Sequence, residues 1–116
     1  MGPAPKWDRF LATAVQVNDD NCVYKTLITV TKHSADRLSL DVKSDCKNIK
    51  EIATSIGPNV NYIDVIESFD KNVIYRKVAE NILGCVTCAV PCAITKALWA
   101  ELGMTLKKDT RIQFMS

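Results

Sequence analysis

A chain of 116 residues, 47% of them hydrophobic and 24% charged, is long enough to bury one core without staples and has the composition of an ordinary soluble domain. Its net charge of +2 comes from 15 basic and 13 acidic residues interspersed along the chain, so there is no basic stripe of the kind nucleic acid requires. No apolar run approaches membrane-spanning length, and Met1 to Arg9 lacks the apolar h-region of a signal peptide; the cytoplasm, where thiols stay reduced, is the expected compartment.

Residues 1–9 read as a Pro-rich tail without periodicity, with Trp7 as a candidate anchor, and residues 10–116 as a single α+β domain. Leu11, Thr13, Val15 and Val17 alternate with Ala12, Ala14 and Gln16, the period of a first strand. Asn18-Asp19-Asp20-Asn21 is turn chemistry; it is not an EF-hand loop, because the Gly and the terminal Glu are missing. Val23 to Thr31 is rich in β-branched residues and reads as a second strand, with Tyr24, Thr26, Ile28 and Val30 on one face. A turn over Lys32 to Asp36 leads to a third strand, in which Leu38, Leu40 and Val42 alternate with Ser39, Asp41 and Lys43. The expected arrangement is a three-stranded antiparallel meander.

The period then changes. Ile49, Ile52, Ala53 and Ile56 mark an amphipathic helix stopped by Gly57-Pro58. Tyr62, Val65, Ile66 and Phe69 give a shorter one, and Tyr75, Val78, Ala79 and Ile82 a third, ending near Gly84. Pro91 suits the first turn of a fourth helix, with Ile94, Ala97, Leu98 and Leu102 as its buried face and Gly103 at its C-terminal cap. Arg111 to Phe114 fits a short edge strand. Strands first and about four helices afterwards predict an α+β fold with the helices packed on one face of the sheet.

Five cysteines stand on this frame, three of them in Cys85-Val-Thr-Cys88-Ala-Val-Pro-Cys92. Their odd number excludes complete internal pairing. Cys22 precedes the second strand and Cys46 follows the third, so hairpin geometry returns both to the same end of the sheet. Ser44 or Asp45 is the expected N-cap of the first helix, which places Cys46 in its first turn. Cys88 lies just before the Pro91 helix. Helix N-termini offer unpaired N–H groups and a positive dipole end, both of which favour a thiolate.

This arrangement resembles the NifU/IscU-type iron–sulfur scaffold fold, in which three cysteines lie before a strand, at the first helix start and at the start of the last long helix. Cys22, Cys46 and Cys88 match those positions, and the resemblance covers roughly residues 20–103. A nearer resemblance is to a small uncharacterised prokaryotic family with a Cys before a hairpin, a Ser-Asp-Cys motif and a Cys-x-Val-Pro motif, here Cys22, Ser44-Asp45-Cys46 and Cys88-Ala-Val-Pro91. The scaffolds carry an Asp two residues after the first Cys, which aids cluster release, and a His directly before the third. Here those positions hold Tyr24 and Thr87. The resemblance therefore implies a binding site more than a site that hands clusters on.

The leading expectation is a metal site made by Cys22, Cys46 and Cys88, with Cys85 as fourth ligand, because it shares a loop with Cys88, and Cys92 as the alternative. Four thiolates suit an iron–sulfur cluster, the preferred cofactor, or zinc. Thr87 and the backbone N–H groups around Ser44 to Lys47 and around Ala89 to Cys92 would surround it. The competing structural reading is that a buried Cys acts as a small hydrophobe, to which Cys92 is most open. A second function class is a thiol–disulfide protein using Cys85 and Cys88, whose spacing is that of redox pairs. A third is a non-catalytic module binding a protein partner or a second copy. No catalytic residues are expected: there is no Gly-x-Ser-x-Gly, P-loop or Gly-x-Gly-x-x-Gly, and the sole histidine, His33, belongs to the turn at the far end of the hairpin.

Overall fold

The computed structural model describes residues 12–81 and 85–116. The 1–9 tail with Trp7, the start of the first strand at Leu11, and the end of the third helix at Ile82 to Gly84 lie outside them.

The β-rich first half forms the expected meander. β1 (Ala12–Val17), β2 (Thr26–Lys32) and β3 (Arg37–Ser44) pair antiparallel in chain order. The register sets Thr26 opposite both Val17 and Ser44, and Lys32 opposite Leu38. At the β2–β3 turn the N–H of His33 donates to the carbonyl of Arg37 at 2.9 Å, and Ser34 Oγ donates to Asp36 Oδ1 at 2.9 Å. Alternation then divides the sheet: Thr26, Ile28 and Val30 of β2 and Leu38 and Leu40 of β3 are buried, while Leu27 and Asp41 are exposed on the other face. Tyr24, expected on the inner face of this strand, lies before it and is exposed, because β1 ends at Val17 and leaves residues upstream of Thr26 without a ladder partner.

Among the described residues four helices follow. α1 (Lys47–Ile56) buries Ile49, Ile52 and Ile56 against β3. It stops at Gly57, whose φ of 87° is strained for any residue with a Cβ and whose N–H donates to the carbonyl of Ala53 at 3.0 Å. α2 (Tyr62–Ile66) is short, with Val65 buried; Phe69, expected on its face, lies beyond its end, with its exposed ring edge-on to Tyr75 at 5.1 Å. α3 (Val73–Glu80) packs between α1 and α4 (Val90–Glu101), and α4 lies across β1 and β2. Pro91 sits in the first turn of α4, and Val90, Pro91, Ile94, Ala97 and Leu98 form its buried side. The buried residues make one cluster, and each fully buried Ile or Leu in it is worth about 1.5–3 kcal/mol. Among the described residues no helix is long and apolar enough to cross a membrane.

Two expectations change. The fourth strand is not Arg111 to Phe114, which has no regular structure and leaves Ile112 and Phe114 exposed. It is β4 (Asn59–Asn61), which follows α1 directly and pairs Val60 with Leu38. The carbonyl of Pro58 also accepts from Leu40 N–H at 2.8 Å, so the β3 edge is taken by the nearest chain after the Gly57 turn. In α3 the fully buried residue is Ile74, with Tyr75 and Val78 half-buried and Ala79 exposed.

The cap explains this rotation. Asn72 is buried; its Oδ1 accepts from Ile74 N–H at 2.9 Å, while its Nδ2 donates to the carbonyls of Val65 at 2.8 Å and Glu67 at 3.3 Å. The Val65 carbonyl also receives Trp99 Nε1 at 2.6 Å, which ties α2, α3 and α4 at one atom. At the far end of α4, Glu101 accepts from Thr13 Oγ1 at 2.6 Å and from Lys32 N–H at 3.2 Å, fastening the helix to β1 and β2. Asn72→Ala removes a cap and leaves a buried N–H without its partner, so a loss of about 2 kcal/mol is expected. The urea midpoint checks this; a loss below about 0.5 kcal/mol would contradict the role given to Asn72.

Candidate functional site

The end of the sheet opposite the β2–β3 turn is where β1 stops, β2 starts and β3 stops. There Thr26 Oγ1 donates to Ser44 Oγ at 3.0 Å, and Ser44 Oγ in turn accepts the N–H of Cys46 at 3.2 Å. The chain thus passes from the last residue of β3 into α1 over a bond that fixes the Cys46 backbone. Cys46 itself, not Ser44 or Asp45, is the N-cap: its φ of −72° and ψ of 121° are extended, and its carbonyl accepts from Lys50 N–H at 3.0 Å. Ser44 is drawn instead into the side-chain bond with Thr26, which holds its hydroxyl at the sheet. The Cys46 thiol makes no capping bond; it is half-buried against the core.

Cys22 lies on the loop between β1 and β2. Asp19 shapes that loop, with Oδ1 accepting from Asn21 N–H and the carbonyl accepting from Cys22 N–H, both at 2.9 Å. This is the Asx-turn expected of an Asn-Asp-Asp-Asn stretch, and it leaves Cys22 exposed.

The segment before α4 forms a second turn, in which Cys88 N–H donates to the carbonyl of Cys85 at 3.0 Å. Cys85, Val86 and Thr87 are exposed, whereas Cys88 is half-buried against the core, just before the N-cap residue Ala89. Burial pushes the Cys88 thiol above its ordinary value, the neighbouring thiols of Cys46, Cys85 and Cys22 push it further the same way, and the backbone N–H of Val90, which reaches its sulfur, pulls it down. Cys88 thus feels the thiols of two other stretches of chain, Cys46 and Cys22, and that of its own turn, Cys85. As they stand, no three His, Cys, Asp or Glu side chains among the described residues are arranged to hold a metal ion.

Cys92 has different company. It faces Tyr75; burial raises the Tyr75 phenol, Thr95 lowers it, and Cys92 raises it again. Thr95 Oγ1 also donates to the carbonyl of Pro91 at 3.0 Å. Tyr75 and Val78 of α3 face Val86, Cys88, Pro91 and Cys92 across an open cavity of about 400 Å³. Periodicity put Tyr75 and Val78 in the core, so only the polar tip of Tyr75 hinted that this side of α3 is wet. His33, its ring bonded to Ser39 Oγ, stays at the other end of the sheet.

The chain belongs to a family of unknown function (DUF6951), whose model matches residues 13–114, a span that contains all five cysteines. No curated protein and no solved structure matches it.

Iodoacetamide applied to the reduced chain at neutral pH is expected to modify Cys22 and Cys85 before Cys88. Cys88 should catch up as the pH rises, because a raised thiol forms its reactive thiolate only at higher pH. Peptide mass mapping of quenched time points checks the order, and early labelling of Cys88 would contradict the burial assigned to it.

Proposed function

We propose that this protein binds a thiophilic metal centre, an iron–sulfur cluster in first place and zinc in second, through Cys22, Cys46, Cys88 and Cys85. The observation that carries the reading is that Cys46 and Cys88, each at a helix start, pack against the same core, and that the thiols of Cys46, Cys85 and Cys22 all raise that of Cys88. A thiol whose ionisation its neighbours oppose, as at Cys88, is unfavourably placed until a cation offsets the charge, and metal binding displaces thiol protons. Cys46 and Cys88 are the anchored pair, each half-buried at a helix start. Cys22 and Cys85 are exposed on loops, so the coordinated state requires those two turns to close onto the anchored pair.

Donor chemistry supports the same class. Four sulfurs match tetrahedral zinc or a cluster, and neither cation would be held as well by the oxygen ligands nearby. The Val90 N–H at Cys88 supplies the hydrogen bond to sulfur that commonly tunes such centres. The scaffold resemblance rests on Cys22, Cys46 and Cys88, and Tyr24 and Thr87 favour retention of the centre over its delivery. A reducing compartment such as the cytoplasm keeps the thiols free for this role. Cys92, engaged with Tyr75, remains outside the ligand set.

Protein purified without oxygen is expected to be brown and to contain iron and acid-labile sulfide. Colourless protein with one zinc would select the second metal, and protein that takes up neither would overturn the reading. Cys88→Ser is expected to abolish loading, while Cys92→Ser leaves it nearly unchanged. Metal content per chain, measured by elemental analysis, separates the two variants; equal losses would contradict the ligand set.

A further inference from the structure

The turn that carries two of the proposed ligands has the geometry of a dithiol couple. Its closing bond, Cys88 N–H to Cys85 carbonyl at 3.0 Å, spans three residues. Turns of that type hold their end Cα atoms within about 7 Å, and disulfides need roughly 4.4–6.8 Å. Val86 and Thr87 between them are exposed, so no core packing opposes a further tightening of the turn. The two sulfurs also differ in access. Cys85 is open to solvent, whereas Cys88 is half-buried at the start of α4. An incoming reagent therefore meets Cys85 first, with Cys88 behind it as the resolving thiol.

We propose that Cys85 and Cys88 form a reversible disulfide with a low-molecular-weight disulfide such as oxidised glutathione as co-reactant, and that this couple controls the thiolate site. The inference rests on the metal-binding reading above. The Cys85 thiolate attacks one glutathione sulfur; the reagent's S–S bond breaks, and one glutathione thiolate leaves. The Cys88 thiolate then attacks the Cys85 sulfur of the mixed disulfide, and the second glutathione thiolate departs. Two electrons pass from the protein dithiol to the reagent, and the two thiol protons end on the two glutathiones. Both sulfurs are then bonded to each other, which leaves Cys22 and Cys46 as a two-ligand remnant too small for a tetrahedral site. Reduction restores all four.

The full-length chain, reduced and metal-free, is equilibrated in buffers of increasing oxidised-to-reduced glutathione ratio, quenched in acid, alkylated and mapped by mass spectrometry. The expected product is the Cys85–Cys88 disulfide, formed in one two-electron transition that Cys92→Ser leaves in place. Cys88→Ser is expected to stop the reaction at a glutathione adduct on Cys85. The zinc-loaded chain under the same buffers is expected to release its zinc mole for mole with disulfide, read with 4-(2-pyridylazo)resorcinol. A stable glutathione adduct on wild-type Cys85, or a disulfide from Cys88 to Cys46 or Cys22, overturns the inference. Zinc bound by a chain that forms no Cys85–Cys88 disulfide overturns it too and leaves the metal-binding reading standing. A disulfide formed by a chain that binds neither zinc nor a cluster overturns the metal-binding reading and the control of the site, while the couple itself survives.

Discussion

The pairing of Thr26 with Ser44 governs where the thiols stand. It closes the open end of the β2–β3 ladder with both a backbone register and a hydroxyl–hydroxyl bond of 3.0 Å, and Ser44 passes the constraint on to the Cys46 backbone. A slip of one residue would move Ile28, Val30, Leu38 and Leu40 to the wet face, so the core enforces the register that the hydroxyls mark. Because Val17 opposes Thr26 as well, the loop carrying Cys22 must leave from the same end. Two of the four neighbouring thiols are thus placed by sheet geometry, before any helix is considered.

The other two depend on α4. Its N-terminal end reaches the thiols only because its body is held elsewhere: Trp99 to the Val65 carbonyl and Glu101 to Thr13 and Lys32. The Val65 carbonyl takes two donors, Asn72 Nδ2 and Trp99 Nε1, so both of its lone pairs are used in a part-buried place where an unfilled one would be costly. Polar groups, not apolar contact alone, decide the angle at which the helical layer meets the sheet. Cys88 inherits its half-buried position from that angle.

The strands and the α1 and α4 helices were legible because their apolar residues repeat at the right period over six or more positions, from Ala12–Val17 to Val90–Glu101. Cysteine placement was legible in part for the same reason: a hairpin must bring its two ends together. What stayed hidden was decided by single contacts. β4 has one apolar residue, Val60, and exists because β3 offers it an edge. Arg111 to Phe114 has a better strand pattern but pairs with neither outer strand, β1 or β4. The face of α3 was set by the Asn72 cap, which favours Ile74 over Tyr75 as the buried residue, and no periodicity count includes a buried side-chain amide. Cys46 became the N-cap because Ser44, the better capping residue, was already committed to Thr26. The Cys85–Cys88 turn was legible only as the segment before the Pro91 helix, and its closing bond from Cys88 N–H to the Cys85 carbonyl was not.

The tie between Thr13 and Glu101 joins residues 88 positions apart. Contacts of such separation form late, because loop closure must precede them, whereas the hairpin that pairs Cys22 with Cys46 is local. The sheet end that carries Cys22 and Cys46 can therefore take shape from local contacts, while the place of Cys88 waits on the docking of α4.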